Sequence, residues 1–479
     1  MDGFDARKRL DALVIGAGLS GLIAARRLQQ QGLRVRVLEA RTRVGGRMVS
    51  RRLEDGTMVD LGGQWGGASH HRFAALLNEL GIHRYPSHYA GQGVWCWQGH
   101  RTVAPLAEGF EESLLFFEPQ ALGLEADERA AVAAVQRAFA ELVAQIHPQQ
   151  PWSSSDAERL DRLSVAQWVA QQSPVPLARL PIDWLCRVGG SGGFEPWETS
   201  ILHLAWTQAV APQAEAPEAW LVRGGAGAVS LQLAAELEAR QPGSLQLGAA
   251  VLAIEQNGDG MQVLAQGCPP LLARAVIVAV PPIQRLAIRF DPPLPAAHQS
   301  LLQRTAMGSM TKILARYGRA FWREQGLNGL GIGDRPWLEL TADSGPPEGN
   351  PAVLAGFVAG ERALRLASLP PAERRQLILN DLMAYWGPEA GEPLELVEHS
   401  WNDEAWTGGA FTSFPAPGCW TSHARLAAAA DAGPGPARHG RVWWAGTEVA
   451  PRWPGYFEGA IEAGEQAAAA LIAAAFTPG

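Results

Sequence analysis

The fold is decided by residues 14–21, Val-Ile-Gly-Ala-Gly-Leu-Ser-Gly, which end a short apolar strand and open a helix. Gly16 permits the tight turn, Gly18 lets the backbone approach a pyrophosphate, and Gly21 lets the helix lie close to the strand. Glu39 follows the next apolar strand, 23 residues after Gly16, where an acid accepts hydrogen bonds from ribose hydroxyls. Strand, glycines, helix, strand and acid in this order predict a βαβ unit that binds the adenosine diphosphate half of a dinucleotide.

A second pair of glycines directly follows Glu39, in residues 40–47, Ala-Arg-Thr-Arg-Val-Gly-Gly-Arg. Its backbone N–H groups and guanidinium groups would lie beside the same pyrophosphate. A nicotinamide-dependent enzyme has no need of such a turn, and the other interpretation is a basic surface turn. The motif therefore favours a dinucleotide other than a nicotinamide cofactor.

Length and charge limit the classes of protein to consider. At 479 residues the chain is too long for one simple domain, and we expect two or three. With 40 basic and 48 acidic residues the formal net charge is −8, so neither a nucleic acid nor a membrane surface is expected as a partner. The first strand begins too early for a signal peptide, and the apolar run 467–476 is too short to span a bilayer. A cytoplasmic protein is predicted.

Metal and disulfide chemistry are not indicated by the sequence. The four cysteines are isolated, at Cys96, Cys186, Cys268 and Cys419. Without a CxxC pair they suggest neither a zinc site nor a disulfide framework. The 11 histidines show no metal-ligand spacing, and His70 and His71, in a polar turn, are expected to be solvated.

The pattern along the chain alternates between α/β and helical segments. Residues 11–85 alternate strand and helix, whereas 90–220 carry Ala, Gln and Leu at helical spacing between proline-rich breaks. Residues 219–290 return to strands. Strand patterns in 305–415 predict a second sheet, and 441–475 give one more strand and an Ala-rich helix. One nucleotide-binding domain is therefore expected to be built from three separated pieces. The Ala-rich stretch that begins at 427 is expected to be a surface loop.

Seven motifs then occur in one order and span nearly the whole chain. They are Gly16–Gly21, Glu39–Arg47, Asp60–Gly63, Val222–Gly227, Met307–Lys312, Trp401 with Gly408–Phe411, and Ala445–Glu465. Together they resemble the flavin-containing amine oxidase family. The resemblance implies an α/β fold, with a Rossmann-like FAD-binding domain of discontinuous segments and an α+β substrate domain made of a mixed sheet and a helical subdomain.

The resemblance also divides the chain. The FAD-binding domain would comprise residues 1–89, 220–295 and 421–479. The substrate domain would comprise the mainly helical segment 90–219 and the sheet segment 296–420, which would lie over the isoalloxazine ring.

By the same resemblance, FAD is the expected cofactor, and Ala410 at the attachment position of covalent relatives predicts that it is bound without a covalent bond. The residues implied are Gly16, Gly18, Gly21, Glu39, Ala40, Arg41, Gly45, Gly46, Arg47, Gly62, Gly63, Gln64, Trp65, Val251, Trp401, Gly446, Glu448, Gly455 and Tyr456. Val251 would present backbone to the adenine edge. The glycine turn that begins at Gly446 suits the flavin phosphate and ribityl chain, because it stands at a helix N-terminus.

Three residues are implied as catalytic. Lys312 lies in apolar sequence, where burial disfavours its charge and it could hold a water at the flavin N5. The alternative is a surface Lys at a strand edge. Phe411 and Tyr456 match the two aromatic positions that flank the substrate amine in relatives, many of which have Tyr at both. The hydroxyl missing at Phe411 puts rate and preference in doubt, and both rings could be ordinary core aromatics.

The implied reaction is oxidation of the C–N bond of an amine, with O₂ as electron acceptor. Hydride from the carbon next to nitrogen passes to the flavin, the resulting imine hydrolyses to a carbonyl compound, and O₂ is reduced to H₂O₂. The expected partners are a small-molecule amine and O₂, with a homodimer left open. A polyene desaturase or isomerase and a non-catalytic flavoprotein use the same framework.

The substrate is less well determined. Trp65 stands where similar amino acid oxidases often place an arginine for the substrate carboxylate. An L-amino acid oxidase therefore remains an alternative only if Arg187 or Arg223 substitutes. Polyamine oxidation remains the other alternative, because Glu195 and Glu198 could meet a second cationic nitrogen.

Covalent attachment of FAD is excluded at one position. Ala410 stands where the mitochondrial monoamine oxidases carry the cysteine that bonds to the flavin, and alanine has no atom that could form this bond. Acid precipitation is expected to release the yellow colour into the supernatant, which an absorption spectrum would record. Colour that stays in the washed pellet would contradict this prediction.

Overall fold

The computed structural model describes residues 9–108, 116–118, 120–190, 192–212, 216–258, 260–430 and 438–475. The strands are β1 (Leu10–Ile15), β2 (Val35–Leu38), β3 (Ser50–Arg52), β4 (Met58–Asp60), β5 (Trp65–Gly66), β6 (Arg84–Pro86), β7 (Gln92–Trp97), β8 (His100–Pro105), β9 (Trp220–Val222), β10 (Leu245–Gln246), β11 (Val251–Asn257), β12 (Gly260–Ala265), β13 (Leu271–Val278), β14 (Arg289–Asp291), β15 (Thr305–Met307), β16 (Met310–Tyr317), β17 (Leu327–Gly333), β18 (Leu340–Asp343), β19 (Ala352–Ala359), β20 (Glu395–Ser400), β21 (Ser413–Pro415), β22 (Arg438–His439) and β23 (Val442–Trp444). The helices are α1 (Leu19–Gln30), α2 (His71–Glu79), α3 (Ala126–Ala144), α4 (Ala157–Arg162), α5 (Val165–Gln172), α6 (Leu180–Arg187), α7 (Ile201–Val210), α8 (Gly227–Arg240), α9 (Pro282–Arg285), α10 (Ala296–Leu302), α11 (Phe321–Glu324), α12 (Glu361–Ala367), α13 (Pro371–Trp386), α14 (Arg425–Ala430) and α15 (Phe457–Ala475).

A nine-stranded sheet contains strands from three distant parts of the chain. Its order is β10-β2-β1-β13-β12-β11-β14, and β23, with β22 at its edge, pairs with β13. The central pairs are parallel, with Val14 opposite Val37 and Ile277. β23 also runs parallel to β13, with Trp443 opposite Ile277. Parallel strands bring their carboxyl ends to one edge, so this edge collects residues from the start, middle and end of the chain.

Three helices cover one face of this sheet because their apolar stripes face the same core. Leu22 of α1, Leu233 of α8 and Leu471 of α15 are fully buried in one cluster with the strand residues. Small residues allow α15 to lie close to α1, since a Cβ on Gly464 would come within 2.3 Å of the Ser20 carbonyl oxygen. The last helix of the chain is thus packed against the first.

A second, seven-stranded sheet has the order β20-β16-β19-β18-β17-β7-β8. It is antiparallel except where β17 and β7 run parallel. The β7–β8 hairpin falls in the segment 90–219, which was expected to be mainly helical. Its alternating side chains are buried on opposite faces of the sheet, Trp95 in one core cluster and Val94 in the other. This alternation is the strand period, which favours sheet over helix here.

Helices α3 to α7 form a separate helical layer. Their core includes Phe139, Trp168, Ile182 and Leu202. The Ala-rich stretch beginning at 427 differs from the expected loop, because α14 extends to Ala430, as the high helix propensity of alanine favours. Residues 431–437 lie outside the described residues.

None of the helices in the described part of the chain has the length and apolar character needed to cross a membrane. The four cysteines are free, and Cys96, Cys186 and Cys419 are buried. In the same described residues, no group of three or more His, Cys, Asp or Glu side chains is placed to hold a metal ion.

Candidate active site

A cavity of about 180 Å³ follows the carboxyl ends of the parallel strands, where Ile15, Leu38, Ala279 and Gly446 form part of its wall. Most of the expected cofactor residues line it. These are Gly16, Gly18, Glu39, Ala40, Arg41, Gly45, Gly46, Arg47, Gly62, Gly63, Val251, Trp401, Gly446, Gly455 and Tyr456. We refer to this space as the first cavity.

Glu39 is held at the end of β2 by two backbone donors. The Ala17 N–H donates to Oε2 at 2.8 Å and the Arg41 N–H donates to Oε1 at 2.9 Å. These bonds fix a buried carboxylate whose oxygens each retain a lone pair. The carboxylate lines the first cavity, and its assignment to the ribose hydroxyls stays a prediction from the sequence.

The glycine turn fits a pyrophosphate. A Cβ on Gly18 would meet no atom within 4 Å, so its backbone faces open space in the cavity wall. Gly18 also caps α1, whose first-turn N–H groups and helix dipole favour a negative charge. The residues present therefore suit an FAD molecule, whose phosphates Gly18 and the guanidinium of Arg47 would hold.

Gly21 and Glu448 lie behind the wall instead of on it. A Cβ on Gly21 would lie 2.0 Å from the Gly16 carbonyl oxygen, so glycine allows α1 to lie against the turn. Glu448 accepts from the Arg47 guanidinium at 2.7 Å. Although burial raises the pKa of Glu448, the Arg47 charge more than offsets this and the pKa is lowered overall. Glu448 thus positions Arg47, which also donates to the Phe411 carbonyl oxygen at 2.7 Å.

Arg41 lies on the wall with its charge already paired. Its Nε donates to Glu404 at 3.0 Å. Burial lowers the pKa of Arg41 while Glu404 raises it, so the guanidinium is charged and anchored. Arg43 pairs with the same carboxylate at 3.2 Å.

Tyr456 is fixed by a side chain in the preceding turn. Thr447 Oγ1 accepts from the Gly455 N–H at 2.7 Å and donates to the Tyr456 carbonyl oxygen at 3.1 Å. The Tyr456 ring lies 5.1 Å from that of Trp453, with the ring planes almost perpendicular. This turn places the phenol on the wall of the first cavity.

His70 was predicted from the sequence to be solvated, and this prediction is wrong because the side chain is fully buried. Its ring lies 5.5 Å from that of Tyr456, and Nδ1 accepts from the Gly67 N–H at 2.8 Å. Burial lowers its pKa to about 4, so His70 is neutral near pH 7. Its neutral ring packs against Tyr456, a burial that two adjacent polar histidines in the sequence do not indicate.

Lys312 is 3 % exposed and lies in β16, between β19 and β20. Its Nζ donates to the Gly62 carbonyl oxygen at 2.8 Å and to Gln64 Oε1. Burial lowers its pKa to about 7, although the Asp60 carboxyl acts in the opposite direction. Lys312 therefore loses its proton far more readily than an exposed lysine, as burial in apolar sequence predicts.

A second cavity, of about 200 Å³, lies on the other side of Lys312. The two cavities share Gly62, Gly63, Lys312, Phe357, Phe411, Gly455, Tyr456 and Phe457 as wall residues. Gln64 and Trp65, expected among the cofactor residues, line the second cavity and not the first. Gln64 is the hydrogen-bond partner of Lys312, and the Trp65 ring centroid lies 5.5 Å from the Lys312 Nζ.

The charged residues proposed for substrate recognition lie elsewhere. Arg187 is buried and donates to Glu339 at 2.7 Å and to Glu195 at 3.3 Å, so it is neutralised within the core. Arg223 is exposed and pairs with Glu348 at 2.9 Å. Glu198 accepts from the Glu195 N–H at 2.7 Å. None of the four candidates, Arg187, Arg223, Glu195 and Glu198, is among the described residues that line either cavity.

Several wall residues were missed in the sequence. Ala279, Val280 and Pro281 line the first cavity directly after β13, where the apolar run meeting a Pro pair could have marked a strand end at the binding edge. Phe357 and Glu218 line the second cavity. No short motif marks either one, because each comes from a distant element that only packing brings to the site.

The chain is similar to known proteins over nearly its whole length. The family model for flavin containing amine oxidoreductase matches residues 19–472. An L-amino acid dehydrogenase of Synechocystis sp. is 39% identical over 463 residues, which cover 96% of this chain and 94% of that protein.

Two solved structures have nearly the same fold over their whole length. A putrescine oxidase with putrescine bound is 30% identical, with a TM-score of 0.86 over 97% of this chain and 99% of that one. The cyclohexylamine oxidase of Brevibacterium oxydans is 29% identical, with a TM-score of 0.86 over 98% of this chain and 99% of that one.

Substitutions at Gly18 and Gly21 are expected to separate cofactor binding from folding. Gly21→Ala places a methyl group against the Gly16 carbonyl and should destabilise the flavin-free protein by about 1–3 kcal/mol. The methyl group of Gly18→Ala would project into the open cavity. This variant should therefore have a free energy of unfolding within about 0.5 kcal/mol of wild type without flavin, but should bind FAD more weakly. Urea unfolding of the stripped proteins and fluorescence titration with FAD measure the two effects. Equal stability of both variants would contradict the assignment.

Replacing Lys312 with methionine is expected to change how the stability of the protein depends on pH. Folded Lys312 loses its proton near pH 7 and the unfolded side chain near 10.5, so wild-type stability gains with rising pH between these values. Methionine has no titrating group, so the variant lacks this pH-dependent gain in stability. The free energy of unfolding of wild type relative to Lys312→Met should therefore rise by about 3 kcal/mol between pH 7 and 9.5. Urea denaturation of both proteins across this range is the measurement, and parallel pH profiles would show that Lys312 is charged when folded.

Proposed function

Because the chain belongs to the flavin-containing amine oxidoreductase family, we propose that it oxidises the C–N bond of a small-molecule amine with non-covalent FAD and O₂. The observation that carries this proposal is the meeting of the two cavities at Lys312, Phe411 and Tyr456. One cavity fits the dinucleotide and the other opens from its far end. A substrate in the second cavity would face the cofactor in the first across these three side chains.

The wall residues act by positioning and by excluding water. Bound flavin supplies a two-electron acceptor for the hydrogen on the carbon next to the amine nitrogen. Phe411 and Tyr456 present aromatic surfaces at the junction, which guide an amine and exclude water. Because an apolar site disfavours a charged group, it favours the neutral amine whose lone pair assists C–H cleavage.

Lys312 is assigned the role of holding a water at the reacting end of the flavin. Its Nζ is anchored by Gly62 and Gln64 at the junction of the cavities. Its pKa of about 7 allows it to give or accept a proton near neutral pH. Ala410 also lines the first cavity, which supports a dissociable cofactor.

An L-amino acid is the second candidate substrate, because a relative 39% identical to this chain is named an L-amino acid dehydrogenase. The residues that line the cavities do not favour an L-amino acid substrate. Arg187 and Arg223 are paired elsewhere, and no arginine is among the described residues that line the second cavity. A substrate carboxylate would therefore lack the bidentate partner that such recognition uses. A homodimer and a cytoplasmic location remain predictions from the sequence.

Anaerobic mixing with amines tests the proposed function. We expect a panel of small amines to bleach the flavin absorbance, and air to restore it with release of H₂O₂. Lys312→Met should slow turnover by about 10²-fold while FAD stays bound, since it removes a group that handles protons. Flavin that no amine reduces would reject the oxidase and favour a polyene enzyme or a non-catalytic flavoprotein. Reduction without peroxide formation in air would leave the amine chemistry and reject O₂ as acceptor.

A further inference from the structure

The second cavity has one acidic side chain on an otherwise apolar wall. Its described lining includes Phe116, Trp184, Leu185, Ile332 and Leu340. Among the described lining residues Glu218 is the one carboxylate and Lys312 the one cation. A carboxylate in such a wall is costly to desolvate unless a partner compensates for the lost water.

The Glu218 backbone is held in place beside the second cavity. Its carbonyl oxygen accepts from the hydroxyl groups of Ser87 and Tyr89, the latter at 3.3 Å. Two residues later β9 begins, and it pairs with both β5 and β6. Tyr89 also lines the second cavity. The segment that carries Glu218 is thus anchored as part of the cavity wall.

The carboxyl group has no cation of its own within the described part of the chain. Lysine, arginine and histidine side chains there neither pair with it nor contribute to its titration. Burial raises its pKa to about 7, with its own backbone N–H acting in the opposite direction. Lys312 is committed to Gly62 and Gln64. A cationic group on a ligand in the cavity would supply the partner that the described residues do not.

Glu218 does not lie at the junction of the two cavities, where the reaction is proposed to occur. Lys312, Phe411 and Tyr456 line both cavities, whereas Glu218 lines the second one alone. A substrate that reacts at the shared wall would reach Glu218 with another part of its chain. A positive group there would pair with the carboxylate, and a negative one would be repelled.

Building on the proposed function, we propose that Glu218 binds a second cationic group of the substrate, which makes diamines and longer polyamines the preferred class. The apolar wall between the junction and Glu218 accommodates the methylene chain that joins the two nitrogens. One amine reacts as the neutral form at the junction, and the other stays an ammonium ion paired with Glu218. This assigns to Glu218 the role that the sequence suggested for Glu195 and Glu198.

The test compares two substrates of equal length on the intact FAD-loaded enzyme. In n-pentylamine a methyl group replaces the second ammonium of 1,4-diaminobutane, so the ratio of their anaerobic flavin-reduction efficiencies isolates the second charge. We expect wild type to favour the diamine. Glu218→Gln should reduce that preference by about 30-fold or more, as expected for loss of one partner of a buried charge pair. Its efficiency with n-pentylamine should change little.

Glu348→Gln is the matched control. It removes the same charge from an exposed side chain that pairs with Arg223 and is not among the described residues lining either cavity. The diamine preference of this variant should equal that of wild type. An equal loss of preference in both variants would assign the effect to net charge and overturn the role of Glu218.

Glu218→Asp tests whether the carboxylate itself binds the substrate, because a purely structural role of Glu218 would not change which diamine length is preferred. It keeps the charge and withdraws it by one methylene group. The best substrate in a series from 1,3-diaminopropane to 1,6-diaminohexane should shift to a longer diamine. An unchanged optimum in this variant, retaining its flavin spectrum, would overturn the proposal.

The outcomes separate this inference from the function on which it rests. If no amine reduces the flavin, the proposed function fails and the inference falls with it. If n-pentylamine reduces the flavin as well as the diamine does, the oxidase stands and the inference is rejected. If neutral L-amino acids exceed both, Glu218 is not a cation-binding residue and the amino acid alternative is favoured.

Discussion

The burial of Lys312 is the constraint on which the site depends. A buried lysine on β16, an inner strand of the seven-stranded sheet, is compatible with folding only if acceptors reach its amine, because an unpaired buried polar or charged group is costly. The Gly62 carbonyl and the Gln64 side chain meet this need. They belong to the segment after β4, which also contacts the first cavity. One buried side chain thus joins the second sheet to the dinucleotide site at the point where the two cavities meet.

The cofactor site follows from the parallel sheet in a similar way. Carboxyl ends of neighbouring parallel strands meet at one edge, so residues after β1, β2, β13 and β23 form one wall although the chain separates them by hundreds of positions. Several wall elements are then held by residues that never touch the cavity. Glu448 fixes Arg47, and Thr447 fixes the turn that carries Tyr456. Such supporting contacts keep the binding groups in place before the ligand arrives.

Features carried by local chemistry could be predicted from the sequence. The glycine spacing, Glu39 after β2 and the Lys in apolar sequence each depend on a few neighbouring residues, and the α/β fold and the FAD chemistry follow from them and from the family resemblance. The features that the sequence did not predict depend on packing between residues far apart in the chain. The β7–β8 hairpin joins the seven-stranded sheet through a parallel pairing with β17, more than 200 residues away. His70, polar by type, is buried because Trp453 and Tyr456 fold back against it from the end of the chain.

The same limit explains why charges near a site were harder to assign than glycines. Glu195 and Arg187 are eight positions apart and look like free recognition groups. Glu339, from the turn between β17 and β18, pairs with Arg187, which in turn pairs with Glu195 in a buried ionic network. Glu218 has no such neighbour in sequence and belongs to no motif, yet it alone leaves a carboxyl group on the described wall of the second cavity. Whether a charge serves stability or recognition depends on whether the fold has already given it a partner. Glu195 has such a partner in Arg187 and serves stability. Glu218 has no such partner among the described residues, and we propose that it determines the charge of the group that the second cavity accepts.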